Sequence, residues 1–544
     1  PLTQGLSPKT LNRAVSAALE MAPDLPEWLD GALITRESWA PWKAAIQGAH
    51  RPDDTGDLEP ETPTRRRLAY DELLANQVAM ALVRLHMRRQ GGRATASNGD
   101  LRARAIAALP YRLTGAQEDA LKEILTDMNA EARMLRLLQG DVGSGKTVVA
   151  ALAMLEAIGA GRQAALMAPT EILARQHLSA ITPLFEAAGA RVALLTGRNK
   201  GAPRRHLLED LKAGNIDALV GTHALIQEDV AFADLAFAVV DEQHRFGVAQ
   251  RLQLAAKGRG TDVLVMTATP IPRTLTLMAY GDLDVSRLME KPAGRRPVDT
   301  RTLPLTRLDE VIDGIGRAIA PGAEGGRRVF WVCPLVAESE ALDLAAAEER
   351  FAALERRFPR QVGLVHGRMK GPEKDAAMAA FAEGRIRILV STTVIEVGVD
   401  VPEATVMVIE HAERFGLAQL HQLRGRIGRG SEASACLLLY GSGLTQTARE
   451  RLRILRETDD GFRIAEEDLR LRGAGEILGT RQSGLPDFRV ADIAAHGDLM
   501  EMARDDAALL LEKDPGLGTA RGEALRVLLY LFERDAAVAY ARSG

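Results

Sequence analysis

The sequence predicts an α/β fold of two tandem lobes, each a parallel sheet covered by helices on both faces. Between about residues 106 and 290, short apolar runs alternate with helical segments, and a second such series extends over residues 291–440. Strands that alternate with helices are typical of parallel sheets, because each crossover helix covers one sheet face. The runs are QAALMAP, RVALLTG, DALVGT, LAFAVVDE and VLVMTATP in the first series, and RRVFWVCPL, VGLVHG, IRILVSTT, ATVMVIEHA and ACLLLYG in the second.

Helical segments flank the two predicted lobes. Residues 1–50 contain the amphipathic stretch LSPKTLNRAVSAALEMA, and residues 51–64 form a proline-rich, acidic sequence that predicts an exposed linker. The rest of residues 51–105 begins with one long helical pattern, RRRLAYDELLANQVAMALVRLHMRRQ. Its arginine-rich ends fit either a solvated helix face or contacts with phosphate. Residues 441–544 are charged and have helical periodicity.

The composition is that of a globular protein and sets limits on its class. The 544 residues are 46% hydrophobic, 26% charged and only 4% aromatic, and the net charge of −4 indicates that any DNA-binding surface is a local basic patch. Cys333 and Cys436 have no metal-ligand spacing and fit buried, reduced thiols in a cytosolic protein. We expect neither a signal peptide nor a membrane-spanning segment, and we expect a segment to precede Pro1.

Residues 140–147, GDVGSGKT, form a complete phosphate-binding loop between an apolar run and a helical pattern. Its glycines permit a tight turn whose N–H groups point at phosphate oxygens, helped by the helix N-terminus. Lys146 would reach the β- and γ-phosphates, and Thr147 would ligate magnesium. An exposed glycine-rich turn would explain the glycines but not the Lys-Thr pair. The sequence therefore predicts ATP and Mg²⁺ as cofactors, bound by Gly140, Gly143, Ser144, Gly145, Lys146 and Thr147.

Residues 241–244, DEQH, follow the apolar run LAFAVV, where a parallel sheet places ligands. Asp241 would hold magnesium through water, and Glu242 would orient and activate the attacking water. Alternatively, an acidic pair at a strand end caps a helix. His244 is a candidate for coupling the γ-phosphate to motion, or a plain surface residue.

A third segment with candidate catalytic residues is QLRGRIGR, at residues 422–429. An exposed basic loop is one interpretation of its arginines. The other is an arginine finger, in which Arg426 and Arg429, with Gln422 in the same segment, reach the γ-phosphate held by the first lobe. Such an arginine typically raises the rate by about 10³ to 10⁵. It would also make hydrolysis depend on closure of the two lobes.

Seven segments in this order resemble the core of a superfamily 2 helicase, which has two RecA-like lobes. The specific forms DEQHRFG and APTEILARQ, together with GFRIAEEDLRLRGAGEILGTRQSGLPDF (461–488), resemble the RecG family of bacterial ATP-dependent DNA helicases. The segment at residues 461–488, called the translocation segment below, resembles a translocation motif that RecG shares with the transcription-repair coupling factor Mfd. The seven are GDVGSGKT, APTEILARQH (168–177), GTHALI (221–226), DEQHRFGVAQR (241–251), TATPIPRT (267–274), STTVIEVGVDVP (391–402) and QLHQLRGRIGRG (419–430).

The resemblance implies roles that the residues alone leave open. Gln117, in LPYRLTGAQ, matches a glutamine that binds adenine, although a solvated glutamine at a helix start would look the same. First-lobe positions that match DNA-backbone motifs are Pro169, Thr170, Arg175, Thr196, Gly197, Thr222 and His223. Positions that match coupling or second-lobe motifs are Thr267, Thr269, Thr392, Thr393, Gly398 and Asp400, of which Gly398 and Asp400 also contact nucleotide. His366 is a further candidate DNA contact.

The translocation segment predicts a C-terminal helical hairpin. Two charged helical stretches, ERLRILRET and EEDLRLRG, lie on either side of the turn at residues 459–461. The resemblance implies that the hairpin and the following loop, LGTRQSGLPDF, contact duplex DNA through Arg472, Arg481 and Gln482. A charged C-terminal bundle would have the same helices.

The resemblance as a whole implies an ATP-dependent translocase on double-stranded DNA. Such an enzyme remodels stalled forks and Holliday junctions in repair and recombination. It implies a cytoplasmic monomer with branched DNA and single-stranded DNA-binding protein as partners, and a wedge domain expected before Pro1. An Mfd-like translocase is an alternative, which DEQH in place of DEEH argues against. A nucleotide-gated DNA clamp without motor activity is the other.

Overall fold

A computed structural model gives the structure of the chain. It describes residues 7–89, 91–242, 253–267, 283–290, 292, 296–320, 327–334, 340–392, 401, 403–428, 430, 432–479, 488–492 and 495–534. The chain divides into two compact units: residues 91–271 with 284–471, and residues 1–90 with 272–283 and 472–544. No helix within the described ranges is long and apolar enough to cross a membrane.

Helices are distributed along the whole described chain. They are α1 Pro8–Glu20, α2 Gly31–Glu37, α3 Trp42–Ala49, α4 Pro63–Arg89, α5 Asp100–Ala107, α6 Gly115–Met128, α7 Lys146–Gly159, α8 Glu171–Ala188, α9 Gly201–Lys212, α10 Leu308–Ile319, α11 Glu340–Arg357, α12 Gly371–Ala382, α13 Leu417–Arg424, α14 Gln446–Glu457, α15 Gly461–Gly479, α16 Gly497–Lys513 and α17 Ala520–Leu531.

The larger unit contains two parallel sheets. The first, in the order β3-β4-β2-β5-β6-β1-β7, consists of β1 Leu135–Gly140, β2 Gln163–Met167, β3 Val192–Leu195, β4 Ala218–Gly221, β5 Leu235–Val240, β6 Asp262–Thr267 and β7 Asp284–Leu288. The second, in the order β10-β11-β9-β12-β13-β8, consists of β8 Asp299–Pro304, β9 Arg328–Val332, β10 Val362–Val365, β11 Ile388–Ser391, β12 Ala404–Ile409 and β13 Ala435–Tyr440. The predicted fold class of two α/β lobes is confirmed.

The cores of the lobes lie between the sheets and their helices. Every residue of β5 and β6 is buried, and α7 is buried along almost its whole length. Strands covered on both faces consist of continuous apolar residues, which is why the sequence made them recognisable. The edge strands β7 and β8 were not predicted, because DVSRL and DTRTLP carry charges that an edge position tolerates.

Both cysteines are buried free thiols in the second lobe, as predicted. Burial raises the pKa of the Cys436 thiol to about 12 and also raises the pKa of Cys333. Neither thiol ionises near neutral pH, so both behave as small apolar residues of the core.

The smaller unit is helical and is organised around α4, which packs against α3, α16 and α17. The interpretation of α4's arginines as a solvated face is wrong for Arg67, whose side chain is fully buried. Arg67 forms ion pairs with Asp71 at 3.1 Å and with Glu27 at 2.9 Å. A buried guanidinium needs such partners, because an unpaired buried charge is costly. Of the predicted linker, residues 51–64, residues 51–59 are exposed, whereas α4 already begins at Pro63.

Candidate active site

The predicted first-lobe residues lie at the carboxyl ends of the strands of one sheet. Gly140 and Thr267 end β1 and β6, and Asp241 follows β5 directly. Because β5, β6 and β1 are neighbours, these three residues share one edge of the sheet. This is the edge at which open parallel sheets bind ligands.

The phosphate loop joins β1 to α7 and requires its glycines. Gly143 and Gly145 have φ angles of 77° and 86°, in the left-handed region that side chains disfavour. A Cβ on Gly145 would collide with the amide of Gln117, and a Cβ on Gly140 would lie 2.9 Å from Leu288 Cβ. The loop therefore fits only the glycine spacing that the sequence shows.

The side chains of the loop fit a polyphosphate. Lys146 is buried, and its Nζ donates hydrogen bonds to the carbonyl oxygens of Gly140 at 2.6 Å and Asp141 at 2.9 Å. The hydroxyl of Ser144 is buried and accepts or donates no hydrogen bond among the described residues. Half-buried Thr147 follows in the first turn of α7. A cation, a spare hydroxyl and a helix N-terminus thus converge on one turn, as anion binding requires.

Gln117 contacts the phosphate loop. Its Nε2 donates to the carbonyl of Ser144 at 2.8 Å, and its Oε1 accepts from the N–H of Thr114 at 2.9 Å in a capping box at the start of α6. The residue is only 2% exposed, so the alternative of a solvated glutamine is wrong. Binding of adenine by Gln117 stays a prediction.

Asp241 is held in its ionised form. Burial opposes ionisation, but His177, which lies 2.7 Å from the carboxylate, together with Lys146 and the N–H of Glu242, lowers the pKa of Asp241 below its usual value. A carboxylate of this kind fits a hard cation. His177 ends the segment APTEILARQH and was not predicted as a site residue, since a helical histidine carries no distinctive spacing.

Glu242 has an unusual backbone conformation. Its φ is 51°, in the left-handed region that a glutamate seldom adopts. Such strain persists only where the surrounding structure imposes it, and it is concentrated at functional sites. The backbone of the preceding Asp241 is fixed by its N–H, which donates to Met167 O at 2.9 Å.

The second lobe reaches the phosphate loop through α13. His421 Nε2 lies 2.7 Å from Asp141 Oδ1, and both groups are buried. Arg424 donates to His421 Nδ1 at 3.1 Å, which places the proton of the neutral imidazole on Nε2, facing Asp141. A Cβ on Gly425 would lie 2.9 Å from Val142 Cβ, so the two lobes are in close contact here. Neither His421 nor Asp141 was predicted.

The predicted catalytic residues Gln422 and Arg426 lie in this contact segment and are half-buried. Gln422 belongs to α13, and the N–H of Arg426 donates to Leu423 O at 2.9 Å in the turn that follows. Their segment therefore lies on the lobe surface that meets the phosphate loop.

Arg424 also connects α13 with the predicted hairpin. Its guanidinium donates to Leu455 O and, at 3.0 Å, to Thr458 O, both near the end of α14. Glu450 of α14 and Arg470 of α15 are 3.6 Å apart, so the two helices run side by side across the turn.

The candidate DNA contacts of the first lobe follow β2, β3 and β4, at the same sheet edge. Arg175, Gly197 and His223 are exposed there, whereas Thr196 and Thr222 are buried. The remaining two, Pro169 and Thr170, precede α8, and the Thr170 hydroxyl caps that helix by accepting from Leu173 N.

In the second lobe, His366 follows β10 and Thr392 follows β11. Thr392 is buried, and the Nδ1 of half-buried His366 has no hydrogen-bond partner within the described part of the chain. Arg198 connects the two lobes through ion pairs. It pairs with Glu171 at 3.1 Å and with Asp375 of α12 at 2.9 Å. Arg198 was not predicted, because a lone arginine in a loop has no motif.

Several predicted residues cannot be placed. His244, Thr269, Thr393, Gly398, Asp400, Arg429, Arg481 and Gln482 lie outside the described residues. Arg472 belongs to α15, but its side chain is outside the described part as well.

Three family models match the chain. They are DEAD/DEAH box helicase over residues 114–278, helicase conserved C-terminal domain over residues 310–431, and ATP-dependent DNA helicase RecG, domain 3, C-terminal, over residues 458–533. The first two correspond to the two lobes. The third begins at the turn before α15 and favours RecG over the Mfd-like alternative.

Individual relatives agree with these matches. ATP-dependent DNA helicase RecG of Escherichia coli O157:H7 is 47% identical over 508 residues, covering 91% of this chain and 72% of its own length. The RecG of Bacillus subtilis strain 168 is 45% identical over 533 residues, covering 96% of this chain and 77% of its own length.

A solved structure of RecG bound to a three-way DNA junction matches with a TM-score of 0.72 and 42% identity. The match covers 92% of this chain and 65% of that chain, so the present chain spans about two thirds of its length. These identities and coverages confirm the resemblance seen in the motifs: the chain belongs to the RecG family of ATP-dependent DNA helicases.

Proposed function

We propose that this chain hydrolyses ATP to move along double-stranded DNA and so remodels branched DNA, including stalled forks and Holliday junctions. The observation that carries the proposal is the buried contact between Asp141 of the phosphate loop and His421 of the second lobe. A nucleotide site whose loop touches the other lobe is able to convert changes at the phosphates into movement between lobes. The branched substrate is supported by the RecG relative bound to a three-way junction.

The first lobe would hold ATP and magnesium. Lys146 and the N–H groups of the loop would bind the phosphates, and Thr147 and ionised Asp241 would hold Mg²⁺, the carboxylate through water. Bound Mg²⁺-ATP supplies the phosphoryl group that is transferred to water. No cluster of three or more His, Cys, Asp or Glu side chains suits a metal among the described residues. Magnesium shared with nucleotide phosphates needs only one or two protein ligands.

Glu242 would orient and activate the attacking water, at a position fixed by the strained backbone of that residue. Arg426 and Arg429, with Gln422, would complete the site from the second lobe. Because these groups belong to the segment that contacts the phosphate loop, hydrolysis would require the lobes to be together. Arg424, which contacts both His421 and the end of α14, would pass the movement to the hairpin.

The contacts with DNA would be mainly contacts with its phosphate groups. Exposed Arg175, Gly197 and His223 offer one cation, an open backbone and an imidazole at a single sheet edge. Contacts with phosphates fix position without reading sequence, so binding would be sensitive to salt and weakly sequence-specific. We also propose, from the family resemblance, a cytoplasmic monomer that meets single-stranded DNA-binding protein at forks.

The first test is DNA-stimulated ATP hydrolysis. Lys146→Ala removes the phosphate cation, and Glu242→Gln removes the general base, so stimulated turnover should fall by about 10²-fold or more in each. Lys212→Ala and Glu186→Gln, at exposed positions of α9 and α8, are the matched controls and should retain turnover. Normal stimulated turnover in either site variant would show that the assigned site is wrong.

Displacement of the third strand from a DNA triplex separates a motor from a clamp. A translocating enzyme strips the third strand with ATP, whereas a nucleotide-gated clamp binds DNA in an ATP-dependent way and leaves the triplex intact. ATP-dependent binding without displacement would reject the motor. Comparison of forked with linear duplexes then tests preference for a branch.

A further inference from the structure

A buried carboxylate fastens the chain directly after the translocation segment. Glu72, on α4, is 4% exposed. Its two oxygens accept hydrogen bonds from three consecutive backbone N–H groups, those of Arg489 at 2.7 Å, Val490 at 2.8 Å and Ala491 at 2.9 Å. Hydrogen bonds to an ionised acceptor are roughly twice as strong as neutral ones. Three of them on one carboxylate make a firm attachment.

Neighbouring contacts hold the same stretch of chain. Phe488 is buried, and the N–H of Asp492 donates to His496 Nδ1 at 2.9 Å. The other nitrogen of His496 lies 2.9 Å from Pro60 O, just before α4. Arg66, in the first turn of α4, pairs with Asp498. Residues 489–491, His496 and Asp498 are therefore attached to α4 or to the segment leading into it.

The attached residues directly follow the segment that is assigned to DNA contacts. Residues 489–491 follow LGTRQSGLPDF, whose Arg481 and Gln482 are assigned to duplex DNA under the proposed function. Before that segment, the carbonyls of Leu455 and Thr458 are held by Arg424. The translocation segment can move DNA only if the backbone at both of its ends is held in place. If residues 489–491 were free to move, the movement of the lobes would displace these residues instead of the DNA.

We propose that Glu72 is a positioning residue for translocation. It anchors to α4 the backbone that directly follows the translocation segment, residues 461–488. The inference rests on the proposed function and adds a residue outside both lobes to its machinery. The neighbouring buried carboxylate of Asp71 is paired with Arg67, whereas the carboxylate of Glu72 binds the backbone of residues 489–491. Burying a carboxylate is costly unless it is fully hydrogen-bonded, and residues 489–491 provide those bonds.

The test compares Glu72→Gln with Glu59→Gln, an exposed glutamate just before α4. The amide that replaces the carboxylate of Glu72 has one acceptor oxygen and points an N–H₂ group at backbone donors. Amide hydrogen exchange at residues 489–491 should accelerate about tenfold or more, as expected from the loss of charged hydrogen bonds. Third-strand displacement per ATP hydrolysed should fall severalfold, while DNA-stimulated hydrolysis stays near the wild-type rate. The Glu59→Gln chain should match wild type in all three measurements.

The outcomes separate this inference from the proposed function. A wild-type chain that displaces no third strand would reject the proposed function itself. If wild type displaces the strand and Glu72→Gln displaces as much per ATP, the anchor is rejected. A proportional loss of hydrolysis and displacement would also reject it, because a merely structural residue changes the amount of active enzyme and not the ratio. If Glu72→Gln does not fold, Ala491→Pro removes one of the three donors without altering α4, and the same ratio decides.

Discussion

At the scale of single residues, the contact between Asp141 and His421 was invisible in the sequence, although both lie in or beside recognised motifs. Asp141 occupies a variable position of the phosphate-loop pattern, and His421 precedes QLRGRIGR without a diagnostic spacing. The fold brings them to 2.7 Å, and Arg424 sets the imidazole tautomer that suits the contact. Motif spacing identifies residues that bind the nucleotide, but it does not identify those that join the two lobes.

We predict that His421→Phe weakens the coupling between lobes. Phenylalanine keeps the ring volume but donates no hydrogen bond to Asp141, so DNA-stimulated ATP turnover should fall by about tenfold, as for loss of a bond to a charged group. Asp141→Ala should have a similar effect, and the double variant should be no worse than either single variant. Steady-state ATPase assays of wild type, the two single variants and the double variant measure this coupling. The control is His206→Phe, at an exposed position of α9. Additive losses would show that the two side chains act independently.

At the scale of helices and strands, the sequence predicted the central strands and the apolar edge strands β3 and β10, and missed the edge strands β7 and β8. The predicted strands are mostly apolar because helices cover both faces of each sheet, whereas the missed strands β7 and β8 carry Asp284, Arg287, Asp299 and Arg301. The same reasoning explains α4, whose arginines looked solvated. Helical periodicity shows which face is apolar, but it cannot show that Glu27, distant in sequence, pairs with Arg67.

We predict that the folding stability depends on pH through Asp262, the first residue of β6. Burial raises the pKa of Asp262 to about 7, against the opposing effects of the Met134 N–H at 2.8 Å and of Arg133. Between about pH 4 and pH 7, the folded state binds a proton that the unfolded state, with an ordinary pKa of about 4, has lost. The stabilisation from Asp262 is fully present below about pH 4 and is lost as the pH rises to about 7.

Asp262→Asn removes this titration while keeping an oxygen that accepts from Met134. The melting temperature of the variant relative to wild type should therefore rise between about pH 4 and pH 7 and level off once the pH is above the folded pKa. Asp119→Asn, at an exposed position of α6, should show no such trend. Thermal unfolding across this pH range measures the difference, and a difference that does not change with pH would contradict a raised pKa of Asp262.

At the scale of the whole molecule, segments from the two ends of the sequence fold together. Residues 1–90 and 472–544 share one helical unit, although the whole of the two-lobed unit lies between them in sequence. This association could not be predicted, because an amphipathic helix shows that it has an apolar face but not which partner covers it. The lobes were predictable because their contacts follow the local alternation of strand and helix.

Removing the C-terminal helices should therefore unfold α4 and leave the lobes intact. Leu73, Leu74, Val78 and Leu82 of α4 are at most 1% exposed, and α16 and α17 pack on this helix. In a chain ending at Leu471 these side chains would lose their cover, at a cost of roughly 1.5–3 kcal/mol each. Hydrogen exchange should show loss of protection across α4 but not across β5 or β12. A chain ending at Arg534, which keeps both helices, is the control. Equal protection of α4 in the two chains would mean that the N-terminal helices fold without their C-terminal partners.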